Sequence, residues 1–176
     1  MPKTVFPTLL TVSNLICGML SIFAGLEEHF SAAIGFIFLG LLFDVLDGRT
    51  ARKLEAVSAF GKELDSLSDL VTFGMAPALF AYHVLLSDLG RGGVFLALVY
   101  SMCAALRLAR FNATQSHAPT FIGLPVPAAA VGLLLGTTLL SPAFVAAAIC
   151  LLSYLMVSNV KFPHAKKMKP EEEQVV

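Results

Sequence analysis

Six apolar runs, each close to the length that crosses a bilayer, follow one another along this chain with little between them. They occupy roughly residues 6–26, 30–53, 62–86, 94–113, 122–140 and 143–160. About 20 apolar residues in a helix cross the hydrocarbon core. Inside it only helices or closed barrels satisfy their own backbone groups. The expected fold is therefore an all-α integral membrane protein with six transmembrane helices. Residues 1–160 form one membrane domain, and 161–176 a basic then acidic tail. Only 14% of residues are charged and 57% are hydrophobic, against roughly 25% charged in soluble domains. The first run carries Asn14 in its middle and lacks a small-residue cleavage site, so it reads as a retained span, not a signal peptide.

The breaks between runs carry the charge. Ser87–Gly93 is a polar, glycine-rich turn, and Ser141-Pro142 places a proline where a helix opens. With six spans, the termini share a side with the second–third and fourth–fifth connections. That side holds Lys3, Arg49, Arg52, Lys53, Lys62, Arg107, Arg110, Lys161, Lys166, Lys167 and Lys169; the other holds Arg91 alone. Such asymmetry places both termini in the cytoplasm and the protein in the cell membrane. Cys17, Cys103 and Cys150 sit in apolar stretches and are expected to be buried free thiols. The four histidines show no metal-ligand spacing. Gly132 and Gly136 form a GxxxG pair, by itself a weak contact signal. No nucleic-acid partner is expected.

Four aspartates interrupt the apolar pattern between the second and third runs. Asp44 and Asp47 are three apart, and Asp65 and Asp69 four apart, so each pair shares a helix face. Ionisable residues within spans mark functional sites by default. Four converging carboxylates need cations, and hard divalent ions prefer oxygen ligands. The alternative is a set of salt bridges to Arg49, Arg52 or Lys62. Between the pairs lie Gly48, Ala51 and Gly61, small enough for a ligand to approach the backbone, and Arg52, suited to phosphate oxygens. Together these residues point to metal-dependent phosphoryl-type transfer at the cytoplasmic membrane surface.

Asp44, Asp47, Gly48, Ala51, Arg52, Gly61, Asp65 and Asp69 also match every fixed position of D-x2-D-G-x2-A-R-x8-G-x3-D-x3-D. That pattern is the signature of the CDP-alcohol phosphotransferase family, which the chain resembles over about residues 7 to 130. Leu9–Gly18, Phe60–Pro77, Leu106–Asn112 and Phe121–Pro127 are most similar to the family's small integral-membrane, serine-accepting branch. Thr8 departs from it, since many relatives carry Asn there. The resemblance implies transfer of a phosphatidyl group from CDP-diacylglycerol to the L-serine hydroxyl, with release of CMP. It also implies two divalent ions, Mg2+ or Mn2+, surrounding membrane lipids, and a homodimer.

By the same resemblance Asp44, Asp47, Asp65 and Asp69 hold the metals, with Asp69 also the catalytic base. Gly48, Ala51, Arg52 and Gly61 bind the nucleotide and its phosphates. Thr11 and Asn14 are candidates for the nucleotide pocket or for interhelical hydrogen bonds. Arg107 and Arg110, three apart, with Asn112 just beyond, are candidates for the acceptor or the donor phosphate; their alternative is contact with lipid phosphates. Ser66 is an acceptor-site candidate or a packing serine. Gly123, Pro125 and Pro127 are expected to shape an irregular helix entry. Competing readings are another acceptor such as glycerol phosphate or inositol, an archaeal ether-lipid donor, a small cation transporter, and an inactive scaffold.

Overall fold

The computed structural model describes residues 4–115 and 123–158. Every regular element among them is helical. Helix α1 spans Val5–Leu26 and α2 Phe30–Lys53. Helix α3 is a rod over Ala59–Leu89, and α4 covers Arg91–Arg110 and continues into a π turn, Phe111–Gln115. The last two are α5, Val126–Leu139, and α6, Pro142–Val157. Helices α1 to α4 are each long and apolar enough to cross a membrane, an architecture compatible with an integral membrane protein.

The fifth and sixth apolar runs give shorter helices than their hydropathy suggests. At 14 and 16 residues they measure about 21 and 24 Å, against about 30 Å of hydrocarbon. Local chemistry explains the start of α5. Gly123 has φ +80°, Pro125 is extended with ψ 138°, and the helix opens only at Val126. Pro142 opens α6, where its missing N–H costs nothing. The outer ends of both runs, residue 122 and residues 159–160, fall outside the described residues. So do Lys3 and the tail from Lys161, with Lys166, Lys167 and Lys169.

Helix α1 packs antiparallel on α2 through a tight turn, and α3 lies against both. Small residues permit this approach. A Cβ on Gly40 would lie 2.6 Å from Thr72 Cγ2, and one on Gly18 2.8 Å from Thr72 Cα. Hydrogen bonds stitch the trio: Ser21 Oγ donates to Ala33 O at 2.8 Å, and Thr72 Oγ1 to Asn14 O at 2.9 Å. Phe73, Tyr100, Leu133, Ile149 and Met156 fill the core between α3, α4, α5 and α6. Outward faces carry Phe23, Leu42, Phe95, Met102, Leu139 and Tyr154, surface better solvated by hydrocarbon than by water. Gly132 faces Leu152 of the same chain. All three cysteines are free; Cys17 is buried and Cys103 partly so, but Cys150 is exposed on the outer face of α6, contrary to expectation.

Helices α1 and α2 end alike. His29 N–H donates to Ala24 O at 2.8 Å and Glu28 N–H to Gly25 O at 3.1 Å; Ala56 N–H donates to Ala51 O at 2.9 Å and Glu55 N–H to Arg52 O at 3.3 Å. These are Schellman closures, whose left-handed position usually holds glycine. Here it holds Glu28 (φ 62°) and Glu55 (φ 52°). A side chain in that conformation costs about 1–2 kcal/mol, and glycine's extra unfolded-state freedom about 0.5–1. Glu28→Gly is therefore expected to raise stability by about 0.5–1 kcal/mol, read as a higher unfolding midpoint in detergent.

Candidate active site

The end of α2 and the start of α3 meet at one end of the bundle, and the four aspartates lie there. Ser58 sets the start of α3: its Oγ accepts from Gly61 N–H at 3.0 Å, the usual role of a serine N-cap. That cap starts the helix at Ala59, three residues before the apolar run, and fixes the phase that turns Asp65 and Asp69 inward. Gly61 serves the same geometry, since a Cβ there would lie 3.1 Å from Ser58 Oγ.

Carboxylate oxygens of Asp44, Asp47 and Asp65 lie within 4.8 Å of one another. Asp69 stands outside that trio but close enough to feel the charges of Asp44 and Asp65. Asp47 and Asp69 are buried, at 5% and 8% exposure. Asn14 Nδ2 donates to Asp69 Oδ1 at 3.1 Å, while its other amide atom, Oδ1, lies toward Gly40. Asp47 borders the Thr11 hydroxyl and the Gly48 backbone. Two buried oxygens, Asp47 Oδ2 and Asp65 Oδ1, have no hydrogen-bond partner. Buried lone pairs of this kind need an explanation, and ion pairing does not supply one. Among the described residues Arg49, Arg52 and Lys62 form no salt bridge to these aspartates. An all-oxygen donor set with unsatisfied buried oxygens fits a hard divalent cation.

Beside the trio opens a cleft of about 370 Å³ between the starts of α1 and α3 and the end of α2. Thr11, Asp47, Gly48, Ala51, Arg52, Gly61 and Asp65 line it. A Cβ on Gly48 would sit 3.9 Å from both terminal guanidinium nitrogens of Arg52, so the arginine folds over the glycine. Asn14 is not in the cleft wall; it lies behind, holding Asp69. Thr4, Pro7, Ala56, Val57, Ser58 and Lys62 complete the lining, and sequence reasoning did not single them out as ligand contacts. Of these, Ser58 carried a legible signal: an N-capping residue before a helical segment. Thr8, the departure from the family pattern, also lines the cleft.

A second group of polar side chains meets on the other side of α3. Arg107, at the end of α4, is 8% exposed. Its guanidinium carbon lies 5.4 Å from the Phe111 ring centroid, and its Nε has no hydrogen-bond partner. It is near enough to Asp69 to feel its charge, without a bond between them. Asn112 Nδ2 donates to Ser66 Oγ at 3.0 Å and to Glu63 Oε2 at 3.3 Å. Arg110 turns another way and donates from Nη2 to Val157 O at 3.0 Å; with Leu124 N–H on Leu155 O at 3.1 Å, it satisfies terminal carbonyls of α6. The six-residue π segment Leu70–Met75 begins just after Asp69, as π segments often do at functional sites. The carbonyls of Phe73 and Gly74 within it accept from Tyr100 Oη at 3.4 Å and Ser101 Oγ at 3.3 Å.

The helical bundle thus gathers an acidic trio and an adjoining cleft lined by small residues at one end. The CDP-alcohol phosphatidyltransferase family model matches residues 4–160, and the chain belongs to that family, whose members are transferases. Among its relatives is the CDP-diacylglycerol–serine O-phosphatidyltransferase of Bacillus subtilis, 49% identical over 165 residues, covering 94% of this chain and 93% of that protein. The protein of the same name from Methanocaldococcus jannaschii is 41% identical over 157 residues, or 88% of this chain and 75% of its own. The archaetidylserine synthase of Methanothermobacter thermautotrophicus is 37% identical over 169 residues, or 92% and 71%.

Proposed function

We propose that this protein is a CDP-diacylglycerol–serine O-phosphatidyltransferase. The observation that carries the reading is the junction of an acidic trio, a buried fourth aspartate and a cleft lined by Gly48, Ala51, Arg52 and Gly61. Similarity to serine-accepting relatives over nearly the whole chain supports the acceptor.

The cleft takes the CDP portion of the donor, with Arg52 against its phosphates and Thr11 in the wall. Asp44, Asp47 and Asp65 would hold divalent metal, two ions of Mg2+ or Mn2+, with Asp69 beside them. Bound metal supplies charge neutralisation for the pyrophosphate and for the departing CMP. Asp69 takes the proton of the serine hydroxyl, held in place by Asn14. The hydroxyl oxygen forms a bond to the diacylglycerol-bearing phosphorus as the bond from that phosphorus to the CMP oxygen breaks. Arg107 binds the serine carboxylate, and Asn112 and Ser66 border the acceptor. Arg107 and Asp69 are neighbours without being bonded, as suits groups that grip two parts of one small molecule. Arg110 contributes by anchoring α6 behind this wall.

The chain crosses the cell membrane six times, with both termini and the site at the cytosolic face, and works as a homodimer. In-membrane crosslinking checks the dimer, and a monomer-only result excludes it. The described cationic residues favour this orientation: Arg49, Arg52, Lys53, Lys62, Arg107 and Arg110 all sit at the ends of α2, α3 and α4 near the site, with Arg91 at the opposite end. The same placement argues against a cation transporter, since the four aspartates gather at one end of the bundle. The archaetidylserine relative keeps an ether-lipid donor as the second reading.

The test is CMP release by purified protein with CDP-diacylglycerol, a divalent metal, and serine, glycerol 3-phosphate or inositol. Serine-dependent CMP release with phosphatidylserine as product is expected. Turnover with another acceptor only would replace serine while keeping the class. No CMP with any acceptor or metal would overturn the enzyme reading.

A further inference from the structure

Serine carries an ammonium as well as a carboxylate, and a selective site must answer both. Arg107 answers the carboxylate. Asp44, Asp47, Asp65 and Asp69 are taken by metal and proton transfer. Five other carboxylates lie among the described residues. Glu27 and Glu28 close the turn at the far end of α1, Asp88 ends α3, and Glu55 occupies the left-handed turn after α2. Glu63 is the one joined to the end of α4, through Asn112.

Its position is informative. Glu63, Ser66 and Asp69 are spaced by three along α3 and follow one face of it. They climb from buried Asp69, through half-buried Ser66, to exposed Glu63. Arg107, Phe111 and Asn112 stand opposite on α4 and the π turn after it, with Asn112 bridging Ser66 and Glu63. Gly61, Lys62 and Asp65 line the donor cleft, whereas Glu63 and Ser66 do not. Helix α3 thus carries donor-cleft residues on one side and Ser66 and Glu63 on the adjoining side, with Asp69 at the meeting point and Glu63 at the outer rim of the acceptor side. A carboxylate offers about four acceptor positions, and the single 3.3 Å bond from Asn112 leaves most of them for a cation.

We infer that Glu63 receives the ammonium group of the amino-acid acceptor and is the residue that selects amino-acid over uncharged or anionic alcohols. This rests on the serine-acceptor reading above. Glu63 is a specificity residue, and Asn112 positions it through the shared hydrogen bond.

Glu63→Gln separates charge from structure, because a glutamine oxygen still accepts from Asn112. Serine and CDP-diacylglycerol KM, kcat, and turnover of 3-hydroxypropanoate, which is serine without its amino group, are measured in full-length enzyme. The KM for serine is expected to rise about tenfold or more, the scale of one charge-assisted hydrogen bond, with the KM for CDP-diacylglycerol little changed. Preference for serine over 3-hydroxypropanoate is expected to shrink by a similar factor, and Glu63→Asp to keep most of it. An unchanged serine KM in Glu63→Gln would overturn the inference. So would loss of CDP-diacylglycerol binding in both variants, which marks a structural role. If the unmodified enzyme turns over glycerol 3-phosphate or inositol but not serine, the functional reading falls and this role with it. Serine turnover that is indifferent to Glu63→Gln sinks the role alone.

Discussion

Asp69→Asn is expected to lower serine-dependent CMP release by about a thousandfold while leaving Mn2+ binding nearly intact. The two halves of this expectation have separate causes. Asp44, Asp47 and Asp65 bring their oxygens together within 4.8 Å, and Asp69 is not in that set. Its distinguishing contact is instead the 3.1 Å bond from Asn14 Nδ2 to Oδ1. A base held by one bond and otherwise uncommitted can take a proton, and general-base removal costs about 10²–10⁴ in rate. An asparagine at 69 still accepts from Asn14 and fills nearly the same volume, so the variant removes charge and basicity while keeping the packing. Mn2+ titration followed by electron paramagnetic resonance reads the metal site independently of turnover. Asp65→Asn is the control and should weaken Mn2+ binding and rate together, since Asp65 brings one of the two buried, unpartnered oxygens. Equal loss of Mn2+ affinity in Asp69→Asn would make Asp69 a metal ligand first and overturn its assignment as the base.

What the sequence disclosed about this site follows the range over which each interaction acts. The pairing of Asp44 with Asp47 and of Asp65 with Asp69 is local, so helical spacing was enough to predict convergence. The helix-bounding signals at Lys53 and Ser87 are local too and placed the ends of α2 and α3 within a few residues, as Pro142 placed the start of α6. Asn14 is different. It sits 55 residues from Asp69, and from the sequence a pocket residue and an interhelical donor were equally good readings; only the packing of α1 on α3 chooses the second. The Glu63–Asn112–Ser66 link spans 46 to 49 residues and left no periodic trace. The π segment at Leu70–Met75 was also invisible, because one extra residue per turn leaves an apolar run looking apolar. Hydropathy likewise overestimated α5, where Gly123 and Pro125 hold residues extended that are as apolar as the helix they precede.

Arg107→Lys is expected to lower kcat/KM for serine by about a hundredfold and to leave the KM for CDP-diacylglycerol largely unchanged. Lysine keeps the positive charge, so the loss comes from geometry. Arg107 is buried and its guanidinium stacks over Phe111 at 5.4 Å. This fixes the plane of a fork that matches a carboxylate, and an ammonium on a flexible stem does not reproduce it. Hydrogen bonds to charged groups contribute about 1.5–3 kcal/mol each. Losing one member of a two-bond grip is therefore about 10- to 150-fold at about 1.4 kcal/mol per decade. Ethanolamine, which is serine without its carboxylate, supplies the internal control: its turnover should be poor in the unmodified enzyme and nearly indifferent to the substitution. The opposite pattern, a raised KM for CDP-diacylglycerol with serine unaffected, would move Arg107 to the donor phosphates. The unpartnered Nε favours the acceptor. On the proposed reading, the partner of this buried nitrogen arrives with the substrate, since the hydroxyl assigned to Asp69 and the carboxylate assigned to Arg107 belong to the same small molecule.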